Sequence, residues 1–129
     1  KKAEDSFKRA LKQEPKNTQI LLSLSNLYHN HDKPELALMY ADHAVSVSGA
    51  PSMAYFLKAR SMHKLGNVKE AIREYNTAIK MSPTNGQAYY YRGLLYVATD
   101  QTANACKDFK SAVTNNYEPA IESVKKYCR

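Results

Sequence analysis

The residues able to carry chemistry in this chain are four histidines, two cysteines and a surplus of lysine and arginine. His29 and His63 stand 34 residues apart. Helices holding them at equivalent points, packed side by side, would lie about 8–10 Å apart. Two imidazoles at that separation can face one ligand. No carboxylate accompanies them at metal spacing, so they read as a solvated or ligand-contacting pair rather than a metal centre. Cys106 and Cys128 are too few for a disulfide framework and lack the spacing of a zinc site. Two readings stay open for them: one disulfide tying the last helix to the one before it, or two half-buried free thiols. Gly49, Gly66, Gly86 and Gly93 form no phosphate loop, and no serine or cysteine sits in a nucleophile motif. No catalytic residue, metal ligand set or cofactor motif emerges, and the chain reads as a binding protein rather than an enzyme.

The elements that must position these residues announce themselves through alanine. Ala3, Ala37, Ala71 and Ala105 recur every 34 residues, and Ala10, Ala44, Ala78 and Ala112 repeat the same step. Small residues at fixed points let two helices approach closely, and a 34-residue period marks a helix–turn–helix repeat stacked into a solenoid. The spacing predicts an all-α fold of antiparallel helix pairs. Residues 1–17 give a lone second helix, 18–51, 52–85 and 86–119 give three complete pairs, and 120–129 give a capping helix. Pro15, Pro51, Pro83 and Pro119 fall at the junctions, where a ring without an N–H is tolerated or ends a helix. Gly66 sits where a left-handed cap is expected, and Asn67 can cap the start of the following helix. Asp32 and Asp100 occupy the corresponding turns and are expected to cap similarly.

Composition and charge bound the partners. The chain has 129 residues, 43% hydrophobic and 24% charged, enough for a real core. No apolar run can span a bilayer, and Lys1 and Lys2 lead into a charged stretch rather than a secretory signal. There is no initiator Met, which points to a piece of something longer. The net charge of +7 is uneven, with the surplus greatest in 52–85, where Lys58, Arg60, Lys64, Lys69, Arg73 and Lys80 lie. Such a surplus favours acidic partners by long-range attraction. The same residues interleaved with tyrosines could face nucleic acid, but they fall on several faces of two helices rather than on one stripe.

These residues resemble the tetratricopeptide repeat family over nearly the whole chain. The second block matches with Tyr55, Ala59, Ala71, Tyr75, Ala78 and Pro83, with Met62 where an aromatic is usual. The third matches with Tyr89, Gly93, Tyr96, Ala105, Phe109 and Ala112, but has Arg92 at an aliphatic point and Tyr117 in place of proline. The first matches with Leu21, Leu24, Ser25, Tyr28, Ala37 and Ala44. It has Ala41 at an aromatic point and Tyr40 one place earlier, which implies altered packing there. The resemblance implies a right-handed superhelical solenoid and leaves the ligand open, because fold does not fix function.

In that family the first helices of successive repeats line a concave groove. The resemblance therefore implies a peptide-binding set here: Leu22, Asn26 and His29, then Phe56, Arg60, His63 and Lys64, then Tyr90, Tyr91 and Leu94. Phe56, Tyr90 and Tyr91 lie outside the family's packing positions and read as anchors, unless they pack between helices. Arg60 and Lys64 give a basic flank suited to an acidic peptide or protein segment. A family clamp for chaperone C-termini needs a cationic and amide set at points held here by Leu22, Asn26, Leu57, Gln87 and Tyr91. Only Asn26 matches, which argues against such tails. The lone first helix leaves Ala3, Phe7 and Ala10 without a partner helix, so a longer parent or self-association through this edge is expected. The Lys126–Tyr127–Cys128 tail is similar to the endings of many bacterial repeat proteins, implying a bacterial source, in the cytoplasm or the cell envelope. The reading is a non-catalytic interaction scaffold without cofactor or membrane insertion. A structural self-assembly module and a basic nucleic-acid-binding repeat are its alternatives.

Overall fold

A computed structural model describes residues 2–128. Among them are eight α-helices and no strand: α1 (Lys2–Gln13), α2 (Thr18–Asn30), α3 (Pro34–Ser46), α4 (Ser52–Lys64), α5 (Val68–Met81), α6 (Gly86–Ala98), α7 (Thr102–Thr114) and α8 (Ala120–Tyr127). Local chemistry sets the starts. Asn17 Oδ1 accepts from the N–H groups of Gln19 and Ile20 at 3.0 and 3.3 Å, and Asn85 Oδ1 accepts from that of Ala88 at 3.2 Å. These bonds satisfy donors that the first helical turn leaves open. Pro34 opens α3, where its missing N–H costs nothing.

The helix ends correct one expectation. Asp32 and Asp100 do not cap the helix that follows. They share the left-handed backbone of Gly66, with φ of 57°, 60° and 84°, and each closes the helix before it. Asn116 does the same at φ 68°. In every case the next N–H reaches back five residues: Lys33 to the Tyr28 carbonyl at 2.8 Å, Asn67 to Met62 at 2.9 Å, Gln101 to Tyr96 at 2.7 Å and Tyr117 to Ala112 at 2.9 Å. This is the bond that ends a helix through a left-handed residue, and Asp and Asn tolerate that conformation better than other side-chain-bearing residues. Lys33 and Gln101 therefore hold the starts of α3 and α7, without a side-chain bond.

The helices form two compact units, one ending at Glu74 and one beginning at Tyr75. In the first, Leu24, Tyr28 and Ala37 are buried together, with Phe7, Leu11, Ile20, Leu27 and Tyr40 packed around them. Tyr40 stacks on Tyr28 with ring centres 5.6 Å apart, while Ala41 is fully buried. The displaced ring thus fills the core from one position earlier. Tyr28 Oη donates to Glu4, which ties α1 to α2. On α1, Ala3 is exposed and Phe7 and Ala10 are half-buried, whereas the equivalent Ala105, Phe109 and Ala112 are fully buried.

In the second unit a side chain on Gly93 would begin 2.7 Å from Phe109 Cε1, so only glycine lets α6 and α7 close over that ring. Tyr127 of α8 stacks on the same ring at 5.6 Å. A disulfide joins Cys106 on α7 to Cys128 just past α8, which decides between the two readings of the cysteines.

The charged departures from the repeat pattern are themselves periodic. Lys58 on α4 pairs with Asp42 on α3 at 2.9 Å and with Glu74 on α5 at 3.6 Å. One repeat on, with an amide in place of one carboxylate, Arg92 on α6 donates to Asn76 of α5 at 2.8 Å and holds Asp108 of α7 with two bonds of 2.8 and 2.7 Å. Lys58/Arg92, Asp42/Asn76 and Glu74/Asp108 are each 34 residues apart. The first repeat fills the same points with Leu24 and Tyr40, an apolar solution. Burial opposes the Arg92 charge, but the Asp108 carboxylate outweighs it and holds the guanidinium pKa above its ordinary value.

Candidate functional site

Within the first unit, α2 and α4 are neighbouring first helices, and the sequence-predicted residues on them come together. Arg60 donates from Nη2 to Asn26 Oδ1 at 3.1 Å, a bond between equivalent faces of adjacent repeats. Its guanidinium also lies 6.0 Å from the centre of the Phe56 ring. Lys64 Nζ stands 3.9 Å from Asp32 Oδ1 at the turn after α2. His29 is half-buried, and its Nδ1 is buried with no hydrogen-bond partner among the described residues.

Electrostatics hold both imidazoles toward the neutral form. Burial lowers the His29 pKa first, and the charges of Arg60 and Lys64 lower it further against an opposing pull from Asp32. Burial and then Lys64 lower that of His63. The cluster therefore presents two cations, one of them beside the Asp32 carboxylate, an amide, and two rings that gain charge only in acid. Such a set attracts carboxylates; it holds no activated nucleophile.

Two members of the predicted set are not free anchors. Phe56 is 2% exposed and Leu22 8%, so they form the floor under the polar residues rather than rings and methyls offered to solvent. The sequence reading placed Phe56 outside the packing positions, yet its ring is enclosed.

Tyr90, Tyr91 and Leu94 belong to α6 in the second unit and are half-buried. Tyr90 packs against Tyr91 at 5.4 Å, Phe109 at 5.9 Å and Tyr117 at 5.1 Å, and Tyr91 stacks on Tyr75 at 6.4 Å. Tyr117, standing where a proline was expected, is thus part of a ring cluster. Sequence reasoning passed over Asp32 as a member of the first-unit cluster; its only signal was the 34-residue step to Gly66. Lys58, counted in the sequence among the basic residues that could face nucleic acid, instead shares its charge between the Asp42 and Glu74 carboxylates.

Among the described residues no group of His, Cys, Asp and Glu could hold a metal ion. No described helix is long and apolar enough to cross a membrane.

Comparison with known proteins agrees with the helix pairs. Residues 59–100 match a family model described as TPR repeat, and residues 87–118 match one described as tetratricopeptide repeat. A TPR repeat-containing protein of Methanocaldococcus jannaschii is 30% identical over 86 residues, or 67% of this chain. The chain spans 11–15% of the lengths of the curated relatives it matches. Among solved structures, that of MamA superposes with a TM-score of 0.81 at 20% identity, covering 96% of this chain and 84% of that one. The first TPR of Spaghetti (RPAP3), bound to the HSP90 peptide SRMEEVD, superposes at 0.79 with 19% identity, covering 85% and 89%.

Proposed function

This chain is a tetratricopeptide repeat protein, and we propose that it is a non-catalytic scaffold that holds an acidic peptide segment of a partner on the faces of α2 and α4. Each of the blocks 18–51, 52–85 and 86–119 is read as one repeat of that scaffold. The observation that carries the reading is the Asn26–Arg60 bond between equivalent points of neighbouring repeats, flanked by His29, His63 and Lys64. Arg60 is held in place before any ligand arrives, so little of its side-chain freedom remains to be lost on binding. The peptide seen on the RPAP3 domain, SRMEEVD, is itself acidic, which supports the chemistry. It does not supply the residues, because the cationic clamp points here are Leu22, Gln87 and Tyr91, and one of the two amide points is Leu57.

The test is fluorescence anisotropy with short labelled peptides, acidic, neutral and basic, matched in apolar content. The acidic peptide binds best, and Arg60→Glu/Lys64→Glu weakens it about tenfold or more, with an unchanged circular dichroism spectrum. Equal binding of all three peptides, or an unaffected variant, sinks the reading. A single-stranded oligonucleotide bound more tightly than the acidic peptide, with a steep loss in salt, would replace it with the nucleic-acid alternative. Self-association is a second reading, favoured by the exposed Ala3 and half-buried Phe7 of α1. Sedimentation velocity of the wild type and of Ala3→Glu/Ala10→Glu decides it: a dimer lost in the variant supports it, and a wild-type monomer rejects it.

A further inference from the structure

We propose a second docking surface, in the groove between α7 and α8, whose occupant is an acidic amphipathic helix of a partner protein. The groove has a volume of about 480 Å³ and is lined by Lys110, Val113 and Thr114 of α7 and by Ile121, Val124 and Lys125 of α8. On each helix the second and third of these residues lie three and four positions after the first, so the three share one face. A trough between two such faces is the seat that a third helix takes when ridges pack into grooves. The floor is apolar, and Ile121 is left 40% exposed.

The disulfide lies on the same two faces. Cys106 precedes Lys110 by one helical turn, and Cys128 follows Val124 and Lys125 by one turn. The bond therefore fixes the separation of the two walls at one end. A groove with held walls loses little freedom when it is filled.

Charge selects the occupant. Lys110 and Lys125 stand on opposite rims, and Lys107 and Lys126 are exposed on the same two helices. The rim carboxylate Glu122 lies 3.5 Å from Lys125, and Asp108 is committed to Arg92. A helix with an apolar ridge and flanking carboxylates satisfies both floor and rims. A second copy fits poorly, because α1, the helix with an open apolar face, carries Lys2, Lys8, Arg9 and Lys12 against Glu4 and Asp5. This surface is independent of the α2/α4 face.

The test is methyl NMR of the whole chain, titrated with a synthetic helical peptide bearing leucines at three-and-four spacing flanked by glutamates. A matched peptide with lysines replacing the glutamates and vesicles of anionic phospholipid serve as comparisons. The acidic peptide is expected to shift the Val113, Ile121 and Val124 methyls saturably. Ile121→Ser, at an exposed position that leaves the fold intact, removes the response. Lys110→Glu/Lys125→Glu weakens the acidic peptide about tenfold and strengthens the lysine peptide. Indifference to peptide charge, shifts confined to other residues, or full binding by the double variant each overturn the proposal. So does a response to vesicles in the absence of any response to peptide.

Discussion

Replacing Arg92 by leucine restores the aliphatic residue that its position is expected to hold, and the structure predicts that this ordinary residue is harmful. Asp108 is 4% exposed and accepts two of its hydrogen bonds from Arg92. Without the guanidinium, its carboxylate is left charged in a site from which water is excluded. Breaking a buried pair from one side costs about 3–5 kcal/mol. The Asn76 bond and the two aromatic rings near the guanidinium, Tyr89 at 5.8 Å and Tyr96 at 5.6 Å, put the loss toward the upper end. Asp108→Tyr alone should cost a similar amount by stranding the arginine. Together, Arg92→Leu/Asp108→Tyr import the Leu24 and Tyr40 pair of the first repeat. Exchanging a buried pair for packed apolar residues is often neutral or stabilising by about 1–4 kcal/mol. The double variant is therefore expected to lie near the wild type, with a coupling energy of about 6 kcal/mol or more, the sum of the two single losses. Urea unfolding followed by circular dichroism, with the slope held as a check on cooperativity, measures all four members of the cycle. An Arg92→Leu variant as stable as the wild type would show that Asp108 has no need of its partner, and the argument would fail.

Gly93→Ala is expected to lower stability by up to about 2 kcal/mol in thermal melts. Crowding against Phe109 costs about 1–3 kcal/mol, and the better helix propensity of alanine returns about 1 kcal/mol; a stabilised variant would show that the ring moves aside. Cys106→Ala/Cys128→Ala, or reduction of the wild type, opens a loop with a sequence separation of 22 and should cost about 3 kcal/mol, read as a lower urea midpoint. The pKa values of His29 and His63 are lowered by folding, so the unfolded chain binds the extra protons more readily. Stability is full above the ordinary value of 6.5 and falls as pH drops through it toward the lowered folded values; His29→Asn/His63→Asn should flatten that slope. Binding of the acidic peptide runs the other way, tightening as pH falls below the ordinary histidine value of 6.5 and the rings gain charge, and a flat profile would remove the histidines from the site.

The helices and their partners were legible because the alanine steps declare which faces meet, and close approach of two helices admits few other residues. The altered points were legible as departures: Arg92, Tyr117 and the Tyr40–Ala41 shift each break the pattern at a place where the structure does something different. What replaced the pattern was not. An arginine at an aliphatic point demands a carboxylate, but nothing along the chain says that it is Asp108, since that pairing is made across two helices. Asp32 and Asp100 were misassigned because the same residue types serve the start of one helix and the end of another, and only φ separates the roles. Phe56, Tyr90 and Tyr91 were left open between anchors and rings packed between helices, because a position can be assigned a direction from its spacing. Whether it meets solvent depends on the size of side chains that arrive from elsewhere.

The periodic clamps also govern how such an array can lengthen. Each first helix from α4 onward reaches back to the second helix of the block before it, Lys58 to Asp42 and Arg92 to Asn76. A gene that lost 52–85 would set Arg92 facing Asp42, an opposite charge, and the junction would hold. A tandem copy of 86–119 would instead bring the duplicated arginine to Lys110, which stands one period beyond Asn76. Like charges would meet at the new seam. The middle block can therefore be dropped without electrostatic conflict, while the third resists being copied, and the lysine that forbids the copy is one that rims the groove beside α8.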